Sequence, residues 1–225
     1  MRFVAVAVAL TLTVPMTVVA QDADRSVAGG GITVDGWKGK IDARAAKAGK
    51  TVNDSKFAKS GDKIDLKIGP AAIYWNDETA ASGNYEVKAS FTENAHNPKH
   101  PHSYGVFIGG SDLETENQAF AYCIAYANGT YSVKYFHGEN VVTVADRVAS
   151  PAINKADEAG KATNEIGWRV RAGKASCVIN GTEVQTWDAA ELVGADKLQS
   201  LDGKYGVRVS HNLDLTMTPL TLSKL

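Results

Sequence analysis

Side chains that alternate apolar and polar commit a chain to β-strands, because only an extended backbone sends successive side chains to opposite faces. Tyr85, Val87, Ala89 and Phe91 alternate with Glu86, Lys88, Ser90 and Thr92, which predicts a strand with one wet face. The same period recurs in Tyr131, Val133 and Tyr135, in Ile166, Trp168 and Val170, and in Leu213, Leu215 and Met217. Phe120, Tyr122, Ile124 and Tyr126 alternate with Ala119, Ala121, Cys123 and Ala125, so this run is apolar on both faces and predicts a strand in the middle of a sheet. Asn128-Gly129 and Asn180-Gly181 separate alternating runs, as Ala172-Gly173-Lys174 does. Asn-Gly supplies the positive φ angles of a tight primed turn, so each reads as a hairpin. Both Asn-Gly pairs also begin Asn-x-Thr sequons, which the turn chemistry explains without a sugar.

About a dozen such strands at this spacing predict two packed antiparallel sheets. Helix is expected only at Asp188–Leu192, where Asp188 precedes Glu191 by three residues, and as a loop or helical turn in the Ala- and Lys-rich Ala43–Lys50. Residues 151–163 read as a polar surface loop. Phe91, Val106, Ile108, Val133, Val170, Ile179, Val207 and Leu215 are the expected core.

Before these strands, Arg2, the apolar run from Phe3 to Val14 and the small side chains of Val18-Val19-Ala20 have the order of a cleavable secretory signal. Twelve apolar residues ending at Pro15 are too few to cross a hydrocarbon core of about 30 Å, and no later segment is long and apolar enough to span a membrane. The expected product is periplasmic or secreted, cut near Ala20, with residues 21–31 a polar, glycine-ended flexible lead-in and 32–225 one domain. Cleavage removes one basic residue, leaving 23 Lys+Arg against 25 Asp+Glu and a net charge of −2. Such a balance gives no electrostatic case for nucleic acid or an anionic membrane. Cys123 and Cys177, the only two cysteines, sit in strand-like runs and read as two buried apolar thiols. A bridge would require their strands to be neighbours.

The run Ser103-Tyr104-Gly105-Val106-Phe107-Ile108-Gly109-Gly110-Ser111-Asp112-Leu113, then Gln118–Tyr126, Asn128-Gly129 and Tyr131–Tyr135, resembles the concanavalin A-like lectin/glucanase sandwich. More narrowly it is similar to bacterial secreted domains related to laminin G-like and 3-keto-disaccharide hydrolase-like proteins. Val178–Val184 resembles their Asn-Gly hairpin, and Gly203–Val209 with Leu213-Asp214-Leu215 their closing strands, so the likeness runs from Tyr85 to Leu225. It implies an all-β, two-sheet antiparallel jelly-roll with a concave sheet on which relatives bind glycans. One fold hosts unrelated functions, so activity has to be argued from the site.

Glucanases of that superfamily carry alternating carboxylates on one strand. Asp112-Leu113-Glu114-Thr115-Glu116 has the spacing but the wrong order and follows two glycines, so it reads as a solvated acidic loop rather than a catalytic pair. His96, His100 and His102 lie within seven residues, a number sufficient for an open zinc site, but in a Pro- and Lys-containing surface loop. The resemblance implies Ca2+ as a possible cofactor at Trp75-Asn76-Asp77-Glu78, which a turn explains equally well. A sugar needs an aromatic platform beside planar polar groups. Trp75, Tyr104, Phe107, Tyr135, Arg169, Arg171 and His211 are the candidates, whereas Trp37 and Trp187 read as packing at the ends of the core. No Gly-x-Ser-x-Gly elbow, dinucleotide fingerprint or P-loop occurs. The leading expectation is a module binding carbohydrate or another cell-envelope ligand. The alternatives are a glycoside-acting enzyme similar to the 3-keto-disaccharide hydrolases and a structural or protein-interaction domain.

Overall fold

The computed structural model describes residues 22–225, so the signal-peptide reading of residues 1–20 lies outside the described residues. In chain order the strands begin with β1 (Gly31–Ile32), β2 (Trp37–Ile41), β3 (Lys56–Ser60), β4 (Lys63–Lys67) and β5 (Ala72–Asn76). The long central strands are β6 (Tyr85–Glu93), β7 (Ser103–Ser111), β8 (Ala119–Tyr126), β9 (Thr130–His137), β10 (Asn140–Ala149) and β11 (Ala162–Arg171). Then come β12 (Lys174–Ile179), β13 (Thr182–Asp188), β14 (Lys204–Val209), β15 (Asp214–Met217) and β16 (Thr221–Lys224). The helices are α1 (Ala43–Lys47) and α2 (Ala189–Leu192), with a 3-10 turn at Val52–Asp54. Glu191 accepts the Asp188 N–H at 2.9 Å, the back-bond expected from the spacing of these two residues.

Two sheets pack face to face. One runs β1-β3-β4-β15-β6-β11-β12-β13, with β16 also on β6; the other runs β10-β9-β8-β7-β14-β5-β2. Every strand pair is antiparallel except β1 with β3, a short parallel pair at one edge. β15 and β16 share β6 end to end, and Pro219, which has no N–H to give the ladder, lies in the break between them. β8 lies between β7 and β9, as its two apolar faces require.

The eight expected core residues are all buried between the sheets. Trp168 from β11 reaches across and donates its indole N–H to the Val106 carbonyl of β7 at 3.0 Å. The cysteines correct the sequence reading: Cys123 of β8 and Cys177 of β12 form a disulfide, with Cα atoms 5.8 Å apart. Their strands are not neighbours in one sheet but face each other across the core, so the bridge ties the two layers together.

The turns differ in detail. Asn180-Gly181 and Ala172-Gly173 have positive φ at both residues, as a primed two-residue turn demands. Between β8 and β9 only Gly129 is left-handed, and the Asn128 side-chain oxygen Oδ1 instead accepts from the Thr130 N–H and hydroxyl. The Asn180 amide donates to Ala152 O and Asn164 Oδ1 and accepts from Glu165 N–H, so it is fully engaged in holding the loop onto the sandwich. The described part of the expected lead-in is also tied down. Arg25 donates to the carbonyls of Ile68 and Leu213, and the Val27 N–H donates to Asp54 O.

Candidate functional site

The seven sequence-predicted binding residues do not share one concavity, because strand parity divides them. Tyr104 and Tyr135 point into the core between the sheets, Tyr104 against Phe91. Trp75 and Phe107 point to the opposite, outer face of the seven-stranded sheet, where both flank Gly206 in register. They are buried there in a second apolar cluster with Ile73, Leu113, Phe120, Tyr122, Ile124, Tyr126 and Phe136. Arg169 and Arg171 lie on the far side of the molecule, on the outer face of the nine-stranded sheet, lining a cavity of about 370 Å³. Arg169 is taken by Glu86 and Glu183, at 2.5 and 2.6 Å, and is a solvated ion-pair site. His211 alone reaches a large cavity.

That cavity, of about 930 Å³, lies at one end of the seven-stranded sheet, where β2, β8 and β14 finish and β5 and β7 begin. Strand ends converge there because the sheet is antiparallel, and the connecting segments supply the polar groups. Asp42 follows β2, Ser210 and His211 follow β14, and Lys99 to Ser103 lead into β7. Asp22 and Asp24 come from the N-terminal segment pinned by Arg25. Tyr126 closes β8 and Arg147 reaches in from β10.

The groups in the cavity are ordered by one another. His211 Nδ1 donates to Asp24 Oδ1 at 2.7 Å, and the ring of His102 meets the ring of His211 edge to face at 4.6 Å. Burial first, and then the neighbouring His211, pushes His102 down to about 4, so it is neutral at neutral pH and offers one donor and one acceptor. Asp42 takes a bidentate contact from Arg208 at 2.5 and 2.7 Å. Arg208 is buried over the neighbouring rings of Tyr122 and Phe136; burial opposes its charge, and Asp42 more than offsets this. The guanidinium of Arg147 lies 3.9 Å over the Tyr126 ring.

The other candidate sites resolve into local contacts. His96 pairs with Glu93 at 3.2 Å while His102 faces His211, so the histidine-rich loop does not converge. Among the described residues no group of three or more His, Cys, Asp or Glu is arranged to hold a metal ion. Asp77 binds the Trp75 indole N–H at 2.8 Å and the Lys38 ammonium at 2.5 Å, and Asn76 accepts from the Glu78 N–H. A lysine therefore stands at the carboxylate considered for Ca2+. Glu114 also meets Lys38, in the solvated loop expected of that acidic run.

Of the cavity residues the sequence reading singled out His211 and, as parts of one loop, His100 and His102. It missed Asp24, Tyr126 and Arg147 as a group, because nothing in one strand's pattern says which loops meet at its end. The one local trace is Asp146-Arg147, a charged pair inside an otherwise valine-rich run.

No family model and no curated protein matches the sequence. Solved structures do match. The carbohydrate binding module CBM66 from Bacillus subtilis is 11% identical, with TM-score 0.57 over 87% of this chain and 99% of that one. A Bacteroides ovatus mixed linkage glucan PUL GH16, solved with a product, is 8% identical, with TM-score 0.56 over 83% of this chain and 94% of that one. A Bacillus subtilis protein of unknown function with a galectin-like fold is 15% identical, with TM-score 0.54 over 84% and 89% of the two chains. At such identities the likeness is one of architecture. The chain is an all-β, antiparallel jelly-roll sandwich with the fold of the concanavalin A-like lectin/glucanase superfamily.

Proposed function

We propose that this protein is an exported module that binds carbohydrate in the cavity at the strand ends of its seven-stranded sheet. The carrying observation is the cavity itself, about 930 Å³ lined by His102, His211, Arg147 over Tyr126, and the carboxylates of Asp22 and Asp24. This is a volume in the range of small-ligand sites, with directional donors and acceptors on its walls. The names of two of the fold's neighbours, a carbohydrate binding module and a GH16 protein with its product, support the ligand class by analogy.

Isothermal titration of the exported protein against a panel of oligosaccharides tests the reading. His211→Ala removes one wall group and should weaken the best ligand about tenfold, equivalent to about 1.4 kcal/mol. The thermal midpoint should change little, because His211 is only partly buried. Absence of binding by every oligosaccharide would sink the proposal.

A second reading, an enzyme acting on glycosides, draws on the Asp24–His211 contact, since a carboxylate-oriented imidazole is a competent proton acceptor. Release of reducing ends from a bound oligosaccharide, lost in His211→Ala, would favour it over the binding module.

A further inference from the structure

Resting on the carbohydrate reading, we propose that the cavity takes a sugar bearing a carboxylate, and that Arg147 is the group that grips it. The first observation is backbone geometry. The pairing of β10 with β9 slips twice, between Thr143 and Ala145 and between Ala145 and Val148, and Arg147 in the second slip has φ +50°. A left-handed residue other than Gly costs about 1 kcal/mol, and bulges re-aim side chains that regular alternation would place elsewhere. The bulge is held by Ser132, whose hydroxyl accepts the Arg147 N–H at 2.9 Å and donates to Asp146 at 3.2 Å. Its consequence is that the guanidinium lies on Tyr126 at the cavity wall.

The second observation is the distribution of charge. Of the other basic groups on this face, Arg208 is held by Asp42, Lys38 by Asp77 and Glu114, and Lys134 by Asp146, while Arg44 also lines the cavity. The acidic groups of the cavity are engaged too, Asp24 by His211, Asp42 by Arg208 and Asp22 by the Asn212 amide at 3.2 Å. Among the described residues no hydrogen bond or salt bridge takes the Arg147 guanidinium: it lies on the Tyr126 ring, which restrains its plane, with Asp146 and His102 as its electrostatic neighbours. A planar fork held flat with its donors free matches a carboxylate bidentately. Lys99 adds further positive charge to the same cavity.

The probes are tetrasaccharides of galacturonate, glucuronate and mannuronate, each titrated beside its carboxyl-reduced counterpart and beside a sulfated galactan tetrasaccharide. At least one uronate should bind tenfold or more tighter than its reduced form, and the difference should shrink with added salt. Arg147→Asn, which suits the left-handed backbone, should abolish the difference, the uronate losing at least tenfold more affinity than its reduced form, with the thermal midpoint unchanged. Arg147→Lys keeps the charge without the fork and should restore only part of the preference. Equal affinity for acidic and reduced forms, or a preference that survives Arg147→Asn, would overturn the clamp and leave the carbohydrate reading standing. Tighter binding of the sulfated probe would overturn the carboxylate assignment. If no probe of either kind binds, both readings fall together.

Discussion

His102 packs edge-on against His211 at the cavity floor, and its burial makes the acid stability of the protein depend on one imidazole. In the unfolded chain a histidine protonates near pH 6.5, whereas burial holds His102 down to about 4. Between those values the unfolded state binds more protons, so stability falls as the pH falls through this window. At pH 5 the loss is about 1–2 kcal/mol. Glu93 acts in the opposite sense. Burial raises its carboxyl despite His96, so its contribution weakens the fold as the pH rises through the ordinary carboxylate range. Urea midpoints at pH 7 and pH 5 should therefore separate more for the wild type than for His102→Gln, and equal separations would assign the effect elsewhere.

Among the elements, β8 and β12 carry the covalent tie between the layers. The Cys123–Cys177 bridge closes a loop of 54 residues, and constraining a loop of that length in the unfolded chain stabilises the fold by about 4 kcal/mol on the chain-entropy model. Reduction, or Cys123→Ala with Cys177→Ala, should lower unfolding free energy by about 2–4 kcal/mol without changing the far-ultraviolet dichroism of the native state. A change under about half a kcal/mol would mean that the bridge adds little to a core already fixed by Trp168 and its neighbours. β14 shows a different constraint. Gly206 sits between Trp75 and Phe107, and a Cβ there would come within 2.2 Å of the Tyr74 carbonyl oxygen and 2.5 Å of the Phe107 ring. The close approach of the Phe107 ring over β14 is possible only without a side chain at Gly206.

At the scale of the whole molecule, the N-terminal segment supplies two of the cavity's carboxylates. Asp22 and Asp24 line the cavity, and Arg25 anchors them to the carbonyls of Ile68, just after β4, and Leu213, just before β15. Intact-mass measurement on exported protein should find a chain beginning within three residues of Gln21. A mature species retaining Met1 would remove the argument for export. Val141, Val142 and Val148 on the free edge of β10 are exposed, and the bulge at Arg147 interrupts that edge as a template for pairing.

Period-two alternation determined the strands, the buried faces and the hairpin turns, because each depends on residues adjacent in sequence and on one backbone geometry. Phe91, Val133 and Leu215 could be assigned to the core for that reason, and the Asn180-Gly181 turn from its two residues alone. The fold family was legible from the runs around Tyr104 to Tyr135. The site was not. Tyr104 and Phe107 lie three residues apart on one strand and so face opposite sides of a sheet, yet only the pairing of that sheet with another says which side is core. Arg169 and Trp75, both plausible sugar contacts in isolation, end on opposite outer faces of the sandwich. Asp24, Tyr126, Arg147 and His211 come together across 187 residues because antiparallel strand ends meet at one rim, which is a property of topology rather than of any local pattern. The disulfide belongs to the same class: two cysteines in strand-like runs carry no record of which sheets will face each other, and only the packed layers bring their Cα atoms to 5.8 Å.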